Sequence, residues 1–82
     1  MRIVISPKAR KQVNKLPARE TTKVLRKLHE LENNPYAGKL LTGKLDMCYS
    51  LRAWPYRIIY QIYTEQNTVL INAVEHRQGV YK

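Results

Sequence analysis

The sequence predicts an α+β domain in which an N-terminal strand and a helical hairpin pack on one face of a small, mainly antiparallel, four-stranded sheet. Three observations carry this expectation. A short β-branched opening is followed by two stretches with apolar residues at helical spacing, and these by three segments that alternate or run apolar as strands do. Prolines at 7, 17, 35 and 55 fall between these stretches rather than inside them. The 82 residues contain no repeat, linker or low-complexity tract, so residues 1–82 are read as one domain with a single modest core.

Arg2-Ile3-Val4-Ile5 is the first strand, stopped by Ser6-Pro7, where the serine can cap a helix and the proline can occupy its first turn. The first helix is expected from Pro7 to Leu16, with Ala9, Val13 and Leu16 inward and Lys8, Arg10, Lys11 and Lys15 toward solvent. Pro17 closes it and opens a second helix from Ala18 to Leu31 or Glu32, whose stripe is Val24, Leu25, Leu28 and Leu31. Asn33-Asn34-Pro35 terminates that helix, because the residue before a proline is driven out of the helical region.

Tyr36 to Asp46 reads as a connection with room for a turn of helix; its glycine spacing is wrong for a phosphate-binding loop. The second strand, Met47 to Arg52, alternates Met47, Tyr49 and Leu51 on one face with Cys48, Ser50 and Arg52 on the other. Trp54-Pro55 turns the chain into a long strand from Tyr56 to Tyr63, dense in aromatic and β-branched residues. Alternation places Tyr56, Ile58, Tyr60 and Ile62 on one face and Arg57, Ile59, Gln61 and Tyr63 on the other. A polar turn, Thr64 to Asn67, leads to a last strand from Thr68 to Glu75, apolar on both faces and therefore interior, with its facing left open by the pattern. With helices on one side only, Arg57 is expected on the uncovered face, the natural place for a ligand.

Fifteen Lys and Arg against six Asp and Glu give a formal charge of +9, which favours acidic partners such as nucleic acid. Residues 1–34 hold nine basic and three acidic residues, a net of +6, so most of the excess lies on the helices. Such a run is ordinarily a solvated face; a docking surface for RNA or an acidic segment is the sharper reading. The single cysteine, Cys48, has no partner for an internal disulfide, and His29 and His76 are too few for a structural metal site, so no metal or other cofactor is expected. No apolar run approaches the roughly 20 residues of a membrane span, and a cytoplasmic setting without membrane contact is the expectation.

Tyr49-Ser50-Leu51-Arg52, Tyr56-Arg57-Ile58-Ile59-Tyr60, Val74-Glu75-His76-Arg77 and Val80-Tyr81 together resemble the RelE/ParE superfamily of toxins from type II toxin–antitoxin pairs. The opening Ile3 to Ala9, the Asn34-Pro35 break and Leu41-Thr42-Gly43 are similar to it as well, so the resemblance spans essentially the whole chain. It implies a RelE-like fold and, for the RelE branch, a ribosome-dependent endoribonuclease that cuts messenger RNA without metal and is silenced by a cognate antitoxin. Operator DNA would be a partner only through the antitoxin complex.

The resemblance assigns Arg57 and Arg77 to the phosphate and its transition state and Tyr81 to the C-terminal catalytic tyrosine, and sets His76 where some relatives carry a basic or histidine residue. Cleavage of RNA through its own 2′-hydroxyl needs a base, an acid for the leaving 5′-oxygen, and positive charge on the phosphorane-like transition state. Tyr81 can serve as base where cations stabilise its phenolate, and His76 can exchange a proton near neutral pH; the two roles are interchangeable at this level. Arg52, Lys44 and Trp54 are the further RNA-binding candidates, the tryptophan either stacking on a base or packing over the hairpin end. One departure is plain. Active RelE members carry two inward lysines on the second strand, where this chain has Cys48 and Ser50, so a ParE-like DNA gyrase inhibitor and a non-catalytic nucleic-acid-binding toxin homologue are the alternatives.

Overall fold

The computed structural model describes residues 1–41 and 47–76; Lys44, Arg77 and Tyr81 lie outside the described residues. The elements run β1 (Arg2–Ile5), α1 (Pro7–Asn14), α2 (Ala18–Asn33), β2 (Lys39–Leu40), β3 (Tyr49–Ala53), β4 (Tyr56–Tyr63) and β5 (Thr68–His76). They build one mixed five-stranded sheet in the order β1-β5-β4-β3-β2, antiparallel except where β1 runs parallel to β5. Both helices lie on one face. Ala9, Val13, Val24, Leu28 and Leu31 pack there against Ile58, Tyr60, Val69, Ile71 and Val74. No helix among the described residues is long and apolar enough to cross a membrane.

Local chemistry fixes the helix ends. The Ser6 hydroxyl accepts from the Ala9 N–H at 3.1 Å and donates to the Asn72 carbonyl at 3.0 Å, so one residue caps α1 and ties its start to β5. Gln12 clamps the same helix further along, its Oε1 accepting from the Val74 N–H at 2.7 Å. α1 ends at Asn14 rather than Leu16 because Pro17 has no N–H to continue the ladder, and the last turn tightens through Leu16 N–H to the Val13 carbonyl. Within α2, Leu25 is 48% exposed, contrary to the expected stripe. At 3.6 residues per turn it points about 90° away from the centre of Val24, Leu28 and Leu31, beyond the reach of a thin sheet.

The fifth strand, β2, is the departure from the four expected. Lys39 pairs with Ser50 and Leu40 with Tyr49, and the ladder continues through Leu41 N–H to the Cys48 carbonyl at 2.8 Å. A buried tyrosine holds the segment in place: the Tyr60 hydroxyl donates to the Pro35 carbonyl at 2.8 Å and accepts from the Gly38 N–H at 2.9 Å. Only glycine fits there, since a Cβ on residue 38 would stand 2.6 Å from that hydroxyl and 2.8 Å from the Ser50 carbonyl oxygen. Two residues are too few to show a period, so this strand has no sequence signature.

β5 is interior, as its composition implies, and its facing is decided by a bulge. Ile59 pairs with Ala73 and Tyr60 with Ile71, leaving Asn72 as the extra residue. Side-chain parity therefore switches along the strand. Val69 and Ile71 face the helices before the bulge and Val74 after it, while Ala73 turns to the other face with Ile59 and Cys48.

A candidate nucleic-acid interface on the open face of the sheet

The uncovered face is built from the residues that alternate away from the core. Arg57 pairs across the β3–β4 hairpin with Arg52, and Ser50 pairs with Ile59, so the two guanidinium groups share one face with Ser50 and a small apolar floor of Cys48, Ile59 and Ala73. Directly opposed cross-strand residues lie about 5 Å apart at Cα, so two arginines side by side are costly unless something anionic joins them. On the other side of Arg57 the register sets Glu75, one carboxylate beside two arginines. Arg57 is half-buried and held on the central antiparallel ladder, with side-chain contacts of its own.

β2 contributes what the sequence pattern missed. Lys39, opposite Ser50, brings a third cation to this face. It lines, with Arg52, Arg57, Ser50 and Leu41, a concavity of about 690 Å³. The position on β3 that lacks a lysine thus has one across the ladder from it. The only available signal would have been the Gly38-Lys39 step, read as a glycine forced against the sheet.

Trp54 stands at the tip of the hairpin, 52% exposed, with the Arg52 Cζ 6.0 Å from the centroid of its ring. The Trp54–Pro55 peptide is cis. Lys23 of α2 donates from Nζ to the Trp54 carbonyl at 2.9 Å and pairs with Glu20 at 3.2 Å, tying the turn to the helix layer.

His76 is not brought to Arg57. It pairs with Tyr56 on the helix-covered face, ring against ring at 5.4 Å and nearly perpendicular. The bulge at Asn72 is the reason: without that extra residue, His76 would share the open face and Glu75 the covered one. Of the seven site residues expected from sequence, Arg52, Trp54 and Arg57 gather at one end of the open face and His76 lies across the sheet. Lys44, Arg77 and Tyr81 fall outside the described residues.

Among the described residues, Tyr60 is the group whose titration is shifted. Burial pushes its phenol above the ordinary 10.0, the neighbouring Tyr49 adds to the rise, and the Gly38 N–H partly opposes it. It is a structural hydroxyl beneath the site, stacked on Tyr49 at 5.4 Å.

A family model described as the ParE toxin of the type II toxin–antitoxin system parDE matches residues 3–81. The chain belongs to the RelE/ParE toxin superfamily. Toxin RelG of Mycobacterium tuberculosis is 36% identical over 76 residues, which cover 90% of this chain and 87% of the relative. Among solved structures, a chain of the RelBE2 toxin–antitoxin complex of Mycobacterium tuberculosis superposes with a TM-score of 0.86 at 33% identity, covering 93% of this chain and 96% of that one. A chain of the intact E. coli RelBE complex gives a TM-score of 0.77 at 25% identity, covering 92% and 94%. The two helices on one face of a mixed sheet are thus the RelE-like arrangement, and among the described residues no helix covers the other face.

Proposed function

We propose that this RelE/ParE toxin is a ribosome-dependent endoribonuclease that cuts messenger RNA in the cytoplasm without a metal ion and is neutralised by a cognate antitoxin. The observation that carries the reading is the Arg52–Arg57 pair on adjacent strands of the open face, with Lys39 across β3 from them. Guanidinium forks bind phosphate oxygens in pairs and stay charged, so they suit a phosphodiester that gains negative charge as it reacts. In this reading Arg57, joined by Arg77, stabilises the phosphorane-like transition state, and Arg52, Lys39 and Lys44 hold flanking phosphates.

Tyr81 takes the proton of the 2′-hydroxyl as a phenolate stabilised by these cations. His76, seated on Tyr56 across the sheet, contributes to protonation of the leaving oxygen only where the end of β5 turns it toward the substrate. The antitoxin partner is supported by the complexes in which the similar RelBE2 and RelBE chains were solved, and operator DNA would be reached through that complex.

A second reading is a ParE-like inhibitor of DNA gyrase, favoured by the ParE description of the matching family model and by Cys48 and Ser50 in place of lysines on β3. Primer extension on translating ribosomes separates the two. Codon-linked cuts that disappear in Tyr81→Phe support the nuclease; absence of cuts together with gyrase-linked DNA breaks supports the inhibitor.

A further inference from the structure

We infer that Trp54 is a stacking platform for one unpaired base of single-stranded RNA, adjacent to the flanking phosphate held by Arg52. The inference rests on the proposed RNA-binding role of the open face and adds a base subsite to it.

Three features of the hairpin tip point to a nucleobase. Trp54 is 52% exposed, a large aromatic surface for solvent to cover. Its backbone is held, since Lys23 of α2 grips its carbonyl at 2.9 Å and is itself paired with Glu20. The platform is therefore positioned before any ligand arrives. Arg52, two residues earlier, has its guanidinium carbon 6.0 Å from the ring centroid and shares a face with Arg57. Cations beside an aromatic ring match a nucleotide, which presents a π-face and a phosphate within one repeat.

The surroundings do not suit an apolar protein anchor. Leu40 pairs with Tyr49 at the far end of β3, and Tyr63 lies at the far end of β4. Leu25, also exposed, is two residues from Lys23 on α2 and so points about 200° round the helix from it. Among the described residues, Trp54 is thus not part of a contiguous apolar patch of the kind that marks a protein-binding hot spot.

Trp54 is the single tryptophan of the chain, so tryptophan emission excited selectively over the six tyrosines reports on this site alone. The purified protein is titrated with a fully 2′-O-methylated RNA hexamer, which cannot be cleaved, and in parallel with an abasic hexamer carrying the same phosphates. The hexamer with bases is expected to quench Trp54, whereas the abasic one binds with strong salt dependence and little quenching. Trp54→Ala should weaken the base-bearing hexamer by about tenfold to a hundredfold, and Trp54→Phe by much less, at unchanged thermal midpoint.

Equal quenching by both oligomers overturns the inference. So does wild-type affinity in Trp54→Ala, or quenching by an acidic polypeptide and not by RNA. Because the probe is uncleavable, a failed cleavage assay leaves this result standing, and normal cleavage with no quenching refutes the base subsite alone.

Discussion

Tyr60→Phe tests how the open face is assembled from beneath. The phenol sits in the core with its hydroxyl bridging the Pro35 carbonyl and the Gly38 N–H, the two contacts that bring β2 and Lys39 to the edge of β3. Phenylalanine keeps the ring and its stack on Tyr49 but strands both partners in a half-buried loop. Leaving a buried polar group unsatisfied costs about 1–3 kcal/mol, and water can reach this loop, so a loss of about 2 kcal/mol is expected. For a domain of this size that lowers the thermal midpoint by roughly 8–16 °C, read by differential scanning calorimetry or circular dichroism. Gly38→Ala should also destabilise, since its Cβ meets the same hydroxyl at 2.6 Å and the Ser50 carbonyl oxygen at 2.8 Å. The double variant should cost less than the two single losses together, because Tyr60→Phe removes the first obstacle and leaves the second. A midpoint within about 2 °C of wild type in Tyr60→Phe, or strict additivity of the pair, would refute the bridging role.

The same phenol gives a pH signature. Burial raises its pKa, so the folded protein holds this proton more tightly than the unfolded chain; its stability term is whole below about pH 10 and is lost as pH rises through the folded pKa. Urea midpoints should fall more steeply above about pH 10 in wild type than in Tyr60→Phe. Ser6→Ala removes both the cap on Ala9 and the tie to Asn72, and should cost about 1–2 kcal/mol in urea denaturation. Leu25→Gln, on an exposed position of α2, should change stability by no more than about 0.5 kcal/mol, while Leu28→Ala, three residues on and buried, should cost about 2–5 kcal/mol.

Much of the fold is written in local patterns. The alternation from Tyr56 to Tyr63 sets Tyr60 in the core and Arg57 opposite it, and Ser6-Pro7 marks the start of α1, because both signals need only a few neighbouring residues. The features that escape are those set by contacts far apart in sequence. β2 exists because the Tyr60 hydroxyl catches a loop some 22 residues away, and two paired residues show no period. The bulge at Asn72 is equally silent, since one extra residue in an apolar run leaves no mark, yet it reverses the facing of every later side chain. The site was legible to the same degree: Arg57 lies on the face that alternation gives it, while its pairing with Arg52, the nearness of Trp54 at the hairpin tip and the arrival of Lys39 depend on register between strands, and His76 lands across the sheet.

The central claim is that the guanidinium fork of Arg57 holds a reacting phosphate. Single-turnover cleavage of a messenger on programmed ribosomes, compared for wild type, Arg57→Lys and Arg57→Ala at matched thermal stability, tests it most directly. The alanine variant should lose about 10²–10³ in rate, with lysine recovering part of the loss by charge without the paired geometry. Cleavage by Arg57→Ala at the wild-type rate would contradict it.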